Sequence, residues 1–545
     1  MTKPLVIHPN SRNIFLLESL DKNYEVSQQL IEYADLIQAP EQVHTYNLTP
    51  YALWTAKAKK IGAEEVIIFL ERNLQNVLSE SLKEAIKKDM GHFGSLEFSI
   101  DEEKLILKSK TEELVIRIKE IDGIKGMILH TPSPTSLVFK LRYRKEIKKI
   151  LFEHNLFVKD IICEFGKELD IKCTFSELLD YQAAAVNAYL AYNHQAGGGG
   201  TIIMPPNSGK IIVGLKIIEE LKTSTLVIVE DKYKVDKWKN EIMEKTDLSA
   251  SNIAIFDQGG TPLKPITIGT YNNISAHVDQ LKGFGLVIYD DAHNLPTPIH
   301  EKTVDLQAKN KLALASTLAR SDGNGNLVLA LIGPKWYEVL YPTLVNRHHQ
   351  VPVKCVEVKI PLPDDEWKDY LQRDIQRKVN PDTLNSNKSI VASILLKKEI
   401  TKRVLIVSYF KEAISKFSDS LDVERLTSKL NEENRQRLIE SFNNKEIDKL
   451  VTPSKLIENM TLNMVDVIIA LSHQHGSERE EYLRLGKLLP AGDGKNEAVL
   501  YSLVSKNTDE ERYYAKRRRK LINYGFHYKI LLYQSLIEKG EFYES

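Results

Sequence analysis

Thr201-Ile202-Ile203-Met204-Pro205-Pro206-Asn207-Ser208-Gly209-Lys210-Ile211 decides how the chain is read. An apolar strand breaks at a Pro-Pro turn, closes on Gly-Lys and runs into helical patterning over 211–221. A strand, a tight loop and a helix N-terminus in that order form a phosphate cradle. The loop N–H groups and the positive end of the helix dipole face one point, and Lys210 adds a full charge there. The P-loop pattern G-x-x-x-x-G-K-[ST] is broken twice, by Met204 at the first glycine and by Ile211 where a hydroxyl should bind magnesium. Taken alone, the stretch reads equally as an ordinary strand-to-helix turn, so the rest of the chain must decide.

Thr225-Leu226-Val227-Ile228-Val229, Pro265-Ile266-Thr267-Ile268 and Leu286-Val287-Ile288-Tyr289 are near-continuous apolar runs with helical stretches between them. That texture predicts a parallel α/β sheet covered on both faces. Functional groups of such sheets gather at the strand C-termini, and one run ends in Asp290-Asp291-Ala292-His293. Asp290 suits a magnesium ligand, usually through water, and Asp291 suits the acid that orients or deprotonates the attacking water. A helix N-cap would also select aspartate.

The chain has 545 residues, 42% hydrophobic and 27% charged, which predicts a globular protein of about three or four domains. Lys+Arg and Asp+Glu are both 74, so any nucleic-acid partner must be met by local patches. Cys163, Cys173 and Cys355 have no paired metal spacing and fit a reducing compartment. Met1-Thr2-Lys3-Pro4 opens no apolar signal segment and no run has transmembrane length. The expected location is cytoplasmic, with no membrane partner.

Residues 1–72 read as a small α/β domain with strands at Leu5-Val6-Ile7 and Ile14-Phe15-Leu16-Leu17 and helical patterning over 25–37. Thr49 is a good N-cap and Pro50 a good first helical residue. Residues 73–170 are a mixed α+β domain in which Leu105-Ile106-Leu107-Lys108-Ser109 and Leu114-Val115-Ile116-Arg117-Ile118 suggest a hairpin. Arg142-Tyr143-Arg144-Lys145, with Lys148 and Lys149, is either a solvated helix face or a DNA-backbone contact. Gly197-Gly198-Gly199-Gly200 reads as a flexible lead into the Thr201 strand, and Lys516-Arg517-Arg518-Arg519-Lys520 is the strongest basic patch.

Further along, Lys311-Leu312-Ala313-Leu314-Ala315-Ser316-Thr317-Leu318-Ala319-Arg320-Ser321-Asp322-Gly323 and Leu331-Ile332-Gly333-Pro334-Lys335-Trp336 resemble the third motif, and its sequel, of the XPB-type DNA repair helicases. Those belong to helicase superfamily two, and the resemblance is to the bacterial branch. It runs nearly end to end: His44-Thr45-Tyr46 and Leu48-Thr49-Pro50-Tyr51 in the N-terminal domain, Asp180-Tyr181-Gln182 as an adenine-reading motif, Lys237-Trp238-Lys239 and Thr267-Ile268-Gly269-Thr270-Tyr271 as DNA-facing segments. Leu483-Arg484-Leu485-Gly486-Lys487-Leu488-Leu489-Pro490 resembles the sixth motif.

The resemblance implies two RecA-like lobes, at 171–335 and 400–545, joined by a linker and helical thumb-like insertion at 336–399, with the 73–170 domain DNA-binding or damage-recognition-like. It implies an ATP-dependent DNA helicase or translocase acting in DNA repair or remodelling, with ATP and magnesium as cofactors. DNA, and a nuclease or other repair protein, would be its partners. Gln182, Pro206, Asn207, Ser208, Gly209, Lys210 and Ile211 would bind the nucleotide. Asp290 would hold magnesium, and Asp290, Asp291, Arg484 and Lys487 would serve catalysis. Trp238, Lys239, Thr270, Arg320, Arg373 and Arg377 would meet DNA.

The departures from the family pattern fall on catalysis. Ile211 removes a hydroxyl ligand, and Asp291 replaces a glutamate, drawing its carboxylate back by one methylene. Ala315-Ser316 replaces Thr-Ala, and Ser321 removes an acid. The sixth motif, Gln-Arg-x-Gly-Arg-x-x-Arg in the family, keeps Arg484 but has Lys487 and Pro490 at the two later arginines. Lysine keeps the charge without the bidentate fork. Two functions follow: a helicase with weakened ATPase, or a degenerate paralogue serving as a DNA- or partner-binding scaffold.

Overall fold

The computed structural model describes residues 2–8, 11–39, 42–161, 166–318, 324–372, 381–427, 429–457, 460, 462, 464–472, 478–492, 494–523 and 525–539. The chain forms two compact units, one of Met1–Ile37 with Val43–Val339 and one of Gln38–Gln42 with Leu340–Ser545. Cys163 lies outside the described residues. Among the described residues, no helix is long and apolar enough to cross a membrane.

The first unit is built on a seven-stranded sheet: β1 (Gly199–Ile203), β2 (Thr225–Val229), β3 (Ile253–Phe256), β4 (Ile266–Thr270), β5 (Leu286–Asp290), β6 (Asn310–Ala315) and β7 (Lys335–Glu338), in the order β3-β4-β2-β5-β6-β1-β7. Every neighbouring pair is parallel. Helices α1 (Asp180–Tyr192), α2 (Lys210–Leu221) and α3 (Lys232–Lys245) belong to the same unit. β1, β2, β5 and β6 are buried along their whole length because both faces of the sheet are covered, as the sequence predicts. The glycine run before Thr201 is not a flexible lead. Gly199 and Gly200 lie inside β1, where a Cβ on Gly200 would sit 2.0 Å from the Trp336 ring and one on Gly199 1.9 Å from the Ile332 carbonyl oxygen. Glycine admits β7 and its approach segment against the strand.

Two smaller sheets precede this one. Leu5–Ile7, Asn13–Leu17, Val43–Asn47 and Asp35–Gln38 form the first, so Ile37 ends in a strand, and the helix of that region spans only Glu25–Leu30. Thr49 caps the helix Pro50–Ala58, accepting from the Ala52 N–H at 3.1 Å. The second sheet holds Leu96–Asp101 and Lys104–Ser109 as an antiparallel pair. The expected partner at 114–118 is instead the helix Glu112–Lys119. Thr111 caps it, Glu112 and Glu113 sit at the positive end of its dipole, and Val115 and Ile118 bury one face. Helix period wins over strand period there.

In the basic patch at 142–149, Arg142 stays exposed while the later cations find acidic partners in the fold. Arg144 donates to both carboxylate oxygens of Asp160 at 2.9 and 2.6 Å, and Lys148, one turn later, reaches the same carboxylate at 2.7 Å. Lys149 pairs with Glu301 at 3.0 Å and Lys145 with Asp305 at 3.3 Å. Burial pushes the Asp160 carboxyl up, but the two cations outweigh burial and hold it well below the usual carboxylate range. Arg144 pairs within the mixed domain, whereas Lys145 and Lys149 tie that domain to the sheet-bearing part of the unit.

The second unit has its own parallel sheet of β8 (Val353–Ile360), β9 (Val404–Ser408), β10 (Lys449–Pro453), β11 (Val467–Ala470), β12 (Ala498–Ser505) and β13 (Tyr528–Leu532), ordered β10-β9-β11-β12-β8-β13. Helices α4 (Glu478–Leu488) and α5 (Asp509–Asn523) complete the elements used below. The sequence placed Val353–Ile360 in a linker; it pairs instead with β12 and β13 inside the sheet. Its burial on both faces supplies the reason.

Candidate active site

The sheet order sets β5, β6 and β1 side by side, so the residues that follow them converge at one edge of carboxyl ends. The loop after β1 closes on Gly209, left-handed at φ +81°, where any Cβ would stand 2.3 Å from the Gln182 amide nitrogen. Gly209 is the N-cap of α2, so the first N–H groups of that helix open at the loop. Ser208 is buried and its hydroxyl donates to the Pro205 carbonyl at 2.6 Å, while Pro206 is half-buried and Asn207 exposed.

Lys210 folds its ammonium back into the loop. It donates to the Met204 and Pro205 carbonyls at 3.1 and 3.0 Å and to the Ser316 hydroxyl, just past β6, at 2.9 Å. Burial pushes Lys210 down to about 7; Asp290 opposes that shift, and Lys234 and Lys237 reinforce it. The ammonium thus rests on neutral oxygens that an anionic phosphate can replace.

Gln182 is buried and its amide is engaged at both ends, donating to the Ser208 carbonyl at 3.0 Å and accepting from the Leu179 N–H at 3.1 Å. Tyr181 donates to the same Ser208 carbonyl at 3.0 Å. Both residues, from the start of α1, brace the loop. Ile211 stands in the first turn of α2 and offers no ligand.

Asp290 ends β5, buried. Its Oδ2 accepts the Trp238 indole N–H at 2.9 Å and its Oδ1 the Asp291 N–H at 3.0 Å. Trp238 has no exposed surface, which corrects its expected place on a DNA-facing surface: its ring is packed into the unit because Asp290 needs its donor. Lys239 on α3 is half-buried. Thr270 caps the helix Tyr271–Ala276 through the Asn273 N–H at 3.3 Å, so its hydroxyl already has a structural task.

Asp291 stands in the left-handed region at φ 46° and occupies the N-cap position of a short helical turn without a side-chain cap bond. Its carboxylate goes instead to Lys234, with which it forms an ion pair. Lys234 was not among the residues singled out in sequence. The available signal was spacing: Lys234 and Trp238 are four apart on α3 and so share a face, which meets the Asp290-Asp291 pair.

The sixth-motif residues lie in the second unit. Arg484, on α4, has no exposed surface and donates to Glu481 at 3.1 Å, to the Ser454 hydroxyl at 3.1 Å and to the Ser472 carbonyl at 3.0 Å. Arg517, from the α5 basic run, lies 3.5 Å from the same Glu481, and Arg518 pairs with Glu357. Lys487 donates to the Met460 carbonyl, and Pro490 is exposed. Arg484, expected in a catalytic role, is thus held in an internal ion cluster of the second unit. Arg320, Arg373 and Arg377 lie outside the described residues.

Among the described residues no group of three His, Cys, Asp or Glu side chains could hold a metal alone. The site nonetheless fits a magnesium-bound triphosphate. The loop offers a cradle, and each Asp290 carboxylate oxygen carries one hydrogen bond and keeps a lone pair. An ion there would be held mostly by phosphate and water.

A parallel sheet that sets a glycine-lysine loop and an aspartate at its carboxyl edge defines the class of RecA-like P-loop proteins. Family models sharpen this. The model described as "ERCC3/RAD25/XPB C-terminal helicase" matches residues 344–543, "Type III restriction enzyme, res subunit" matches 175–320, and "Helicase conserved C-terminal domain" matches 7–131. A Kineococcus radiotolerans protein named "DNA 3'-5' helicase XPB" is 30% identical over 516 residues, covering 92% of this chain and 91% of that protein. A Mycobacterium tuberculosis protein of the same name is 28% identical, covering 91% and 92%. The Encephalitozoon cuniculi "General transcription and DNA repair factor IIH helicase/translocase subunit XPB" is 26% identical, covering 96% and 83%. The chain belongs to the XPB family of helicases.

Proposed function

We propose that this chain is an ATP-dependent DNA translocase or helicase whose hydrolysis step has been slowed. The observation that carries the reading is the convergence of Lys210, Ser316 and Asp290 at the ends of β1, β6 and β5, around a loop braced by Gln182. Lys210 would pair with the β- and γ-phosphates, the α2 N-terminus would receive the phosphate charge, and Asp290 would hold magnesium through water. Asp291 would orient the attacking water. Lys239 and Thr270 are proposed to lie along the DNA path, as are Arg320, Arg373 and Arg377. A cytoplasmic site of action and a nuclease or other repair protein as partner are further parts of this proposal.

Slowing has physical sources. A shortened, displaced acid costs on the order of a hundredfold. Arginine on the transferring phosphoryl group is typically worth about 10³ to 10⁵ in rate, and the sixth motif here supplies a lysine and a proline at two of its positions. A second reading, a DNA- or partner-binding scaffold without significant hydrolysis, draws support from the buried ion cluster around Arg484.

DNA-stimulated ATP hydrolysis by the purified protein decides between them, with Lys210→Ala as control. Turnover above the control supports the enzyme. Turnover equal to it removes the enzyme, and a salt-dependent DNA titration then tests the scaffold.

A further inference from the structure

We propose that Lys234 is a built-in brake on the site: it holds Asp291 away from the attacking water. The inference rests on the nucleotide-site reading above and concerns what restrains that site.

The geometry has three parts. Asp291 is short, so its carboxylate stays close to the backbone that follows β5, within reach of a lysine rising from α3. Its backbone is left-handed, with its own N–H donated to Asp290, and in that setting its carboxylate is paired with Lys234. Lys234 is itself positioned at the start of α3, its N–H bonded to the Asp231 cap at 3.0 Å, with Glu230 3.8 Å from its ammonium. With side-chain exposures of 24% for Lys234 and 13% for Asp291, the pair is shielded enough from water to matter.

A carboxylate already accepting from an ammonium is a weaker acceptor for a water O–H, and its direction is set by the cation rather than by substrate. Trp238, one turn further along α3, fixes Asp290 from the same face. One helix thus governs both carboxylates: it steadies the metal-side acid with a neutral donor and ties up the water-side acid with a charge.

The test uses the full chain and four variants: Lys234→Met, Lys234→Gln as a second neutral substitution, Lys234→Arg, and Lys234→Met with Asp291→Asn. Two readouts are taken, DNA-stimulated ATP turnover and the factor by which magnesium increases affinity for a fluorescent non-hydrolysable ATP analogue. The neutral variants are expected to raise kcat roughly tenfold with little change in KM, a fraction of the 10² to 10⁴ that a positioned acid–base group supplies. They are also expected to increase the magnesium factor severalfold, because removing the Lys234 cation leaves more negative charge beside Asp290. Lys234→Arg should behave as the parent, and adding Asp291→Asn should cancel both gains. If the magnesium factor rises while no variant hydrolyses ATP, the brake stands and the enzyme reading fails. If the parent hydrolyses ATP and the neutral variants match it in both readouts, the brake is overturned and the enzyme reading stands. No change in either readout without parental hydrolysis also overturns it, as does a gain that persists with Asp291→Asn.

Discussion

The loop after β1 and the helix α4 both carry cations in helicase-motif order, and they hold them in opposite ways. Lys210 rests on two carbonyls and a hydroxyl, neutral acceptors that an incoming phosphate can displace. Arg484 is paired with a buried carboxylate and has no exposed surface. A cation on neutral oxygens remains available as charge; one on a buried carboxylate has been spent on the fold, because releasing it strands its partner. The same distinction separates Trp238, a neutral donor to Asp290, from Lys234, a cation on Asp291. Partner type, more than residue type, tells a working charge from a structural one.

The contrast can be broken most strongly in the second unit. Arg484→Ala should destabilise it by about 3–5 kcal/mol, since the buried Glu481 carboxylate would lose the guanidinium that stands 3.1 Å from it. Denaturant unfolding measures this, and a loss below about 1 kcal/mol, the scale of an exposed pair, would place Arg484 among the available cations. Asp160→Asn should cost roughly 3 kcal/mol by leaving Arg144 and Lys148 without their shared carboxylate. Its pH signature has a definite sign. The folded carboxyl lies below the unfolded value of about 3.9, so the stabilisation is complete above that value and fades as pH falls below it. The variant should show a flatter acid limb than the parent.

In the first unit, Lys210→Ala should weaken ATP-analogue binding about 10- to 100-fold, the value of charge-assisted bonds to phosphate, without lowering the melting temperature, because an ammonium that burial pushes down costs the fold stability near neutral pH. A stability loss without a binding loss would make Lys210 structural. The smallest effect is titration. With Lys210 at about 7, its ammonium is half populated near neutrality, so analogue affinity should fall severalfold between roughly pH 6 and pH 8. Unfolded lysine titrates near 10.4, so between about 7 and 10 the unfolded chain binds more protons and stability rises with pH. Lys210→Ala should remove both slopes.

Much of this was legible in the sequence for physical reasons. Apolar runs such as Leu286-Val287-Ile288-Tyr289 can only be strands covered on both faces, and the Gly-Lys turn marks where one of them stops. The Thr49 cap and Pro50 announce their helix. What stayed hidden depends on direction and partner. Glu112–Lys119 mixes apolar and charged residues in a way that suits either period until Thr111 caps it. Four glycines look flexible unless the Trp336 ring and the Asp160, Lys309 and Ile332 carbonyls are known to press on them. Arg144, Lys148, Arg484 and Arg517 look like surface charge because their acids, Asp160 and Glu481, are identified only by folding. The spacing of Lys234 and Trp238 shows that they share a face of α3, but not that this face meets Asp291.

On the proposed reading, the phosphate cradle persists while the charges that speed cleavage have been withdrawn. The most direct measurement is the single-turnover rate of prebound ATP at saturating DNA, compared between the parent and Lys487→Arg with Pro490→Arg. Restored arginines should raise the rate at least tenfold, a small part of the 10³ or more such groups supply, with the amount of bound ATP unchanged. Equal rates with equal binding would contradict the account, because hydrolysis would then be limited by something other than the missing arginines.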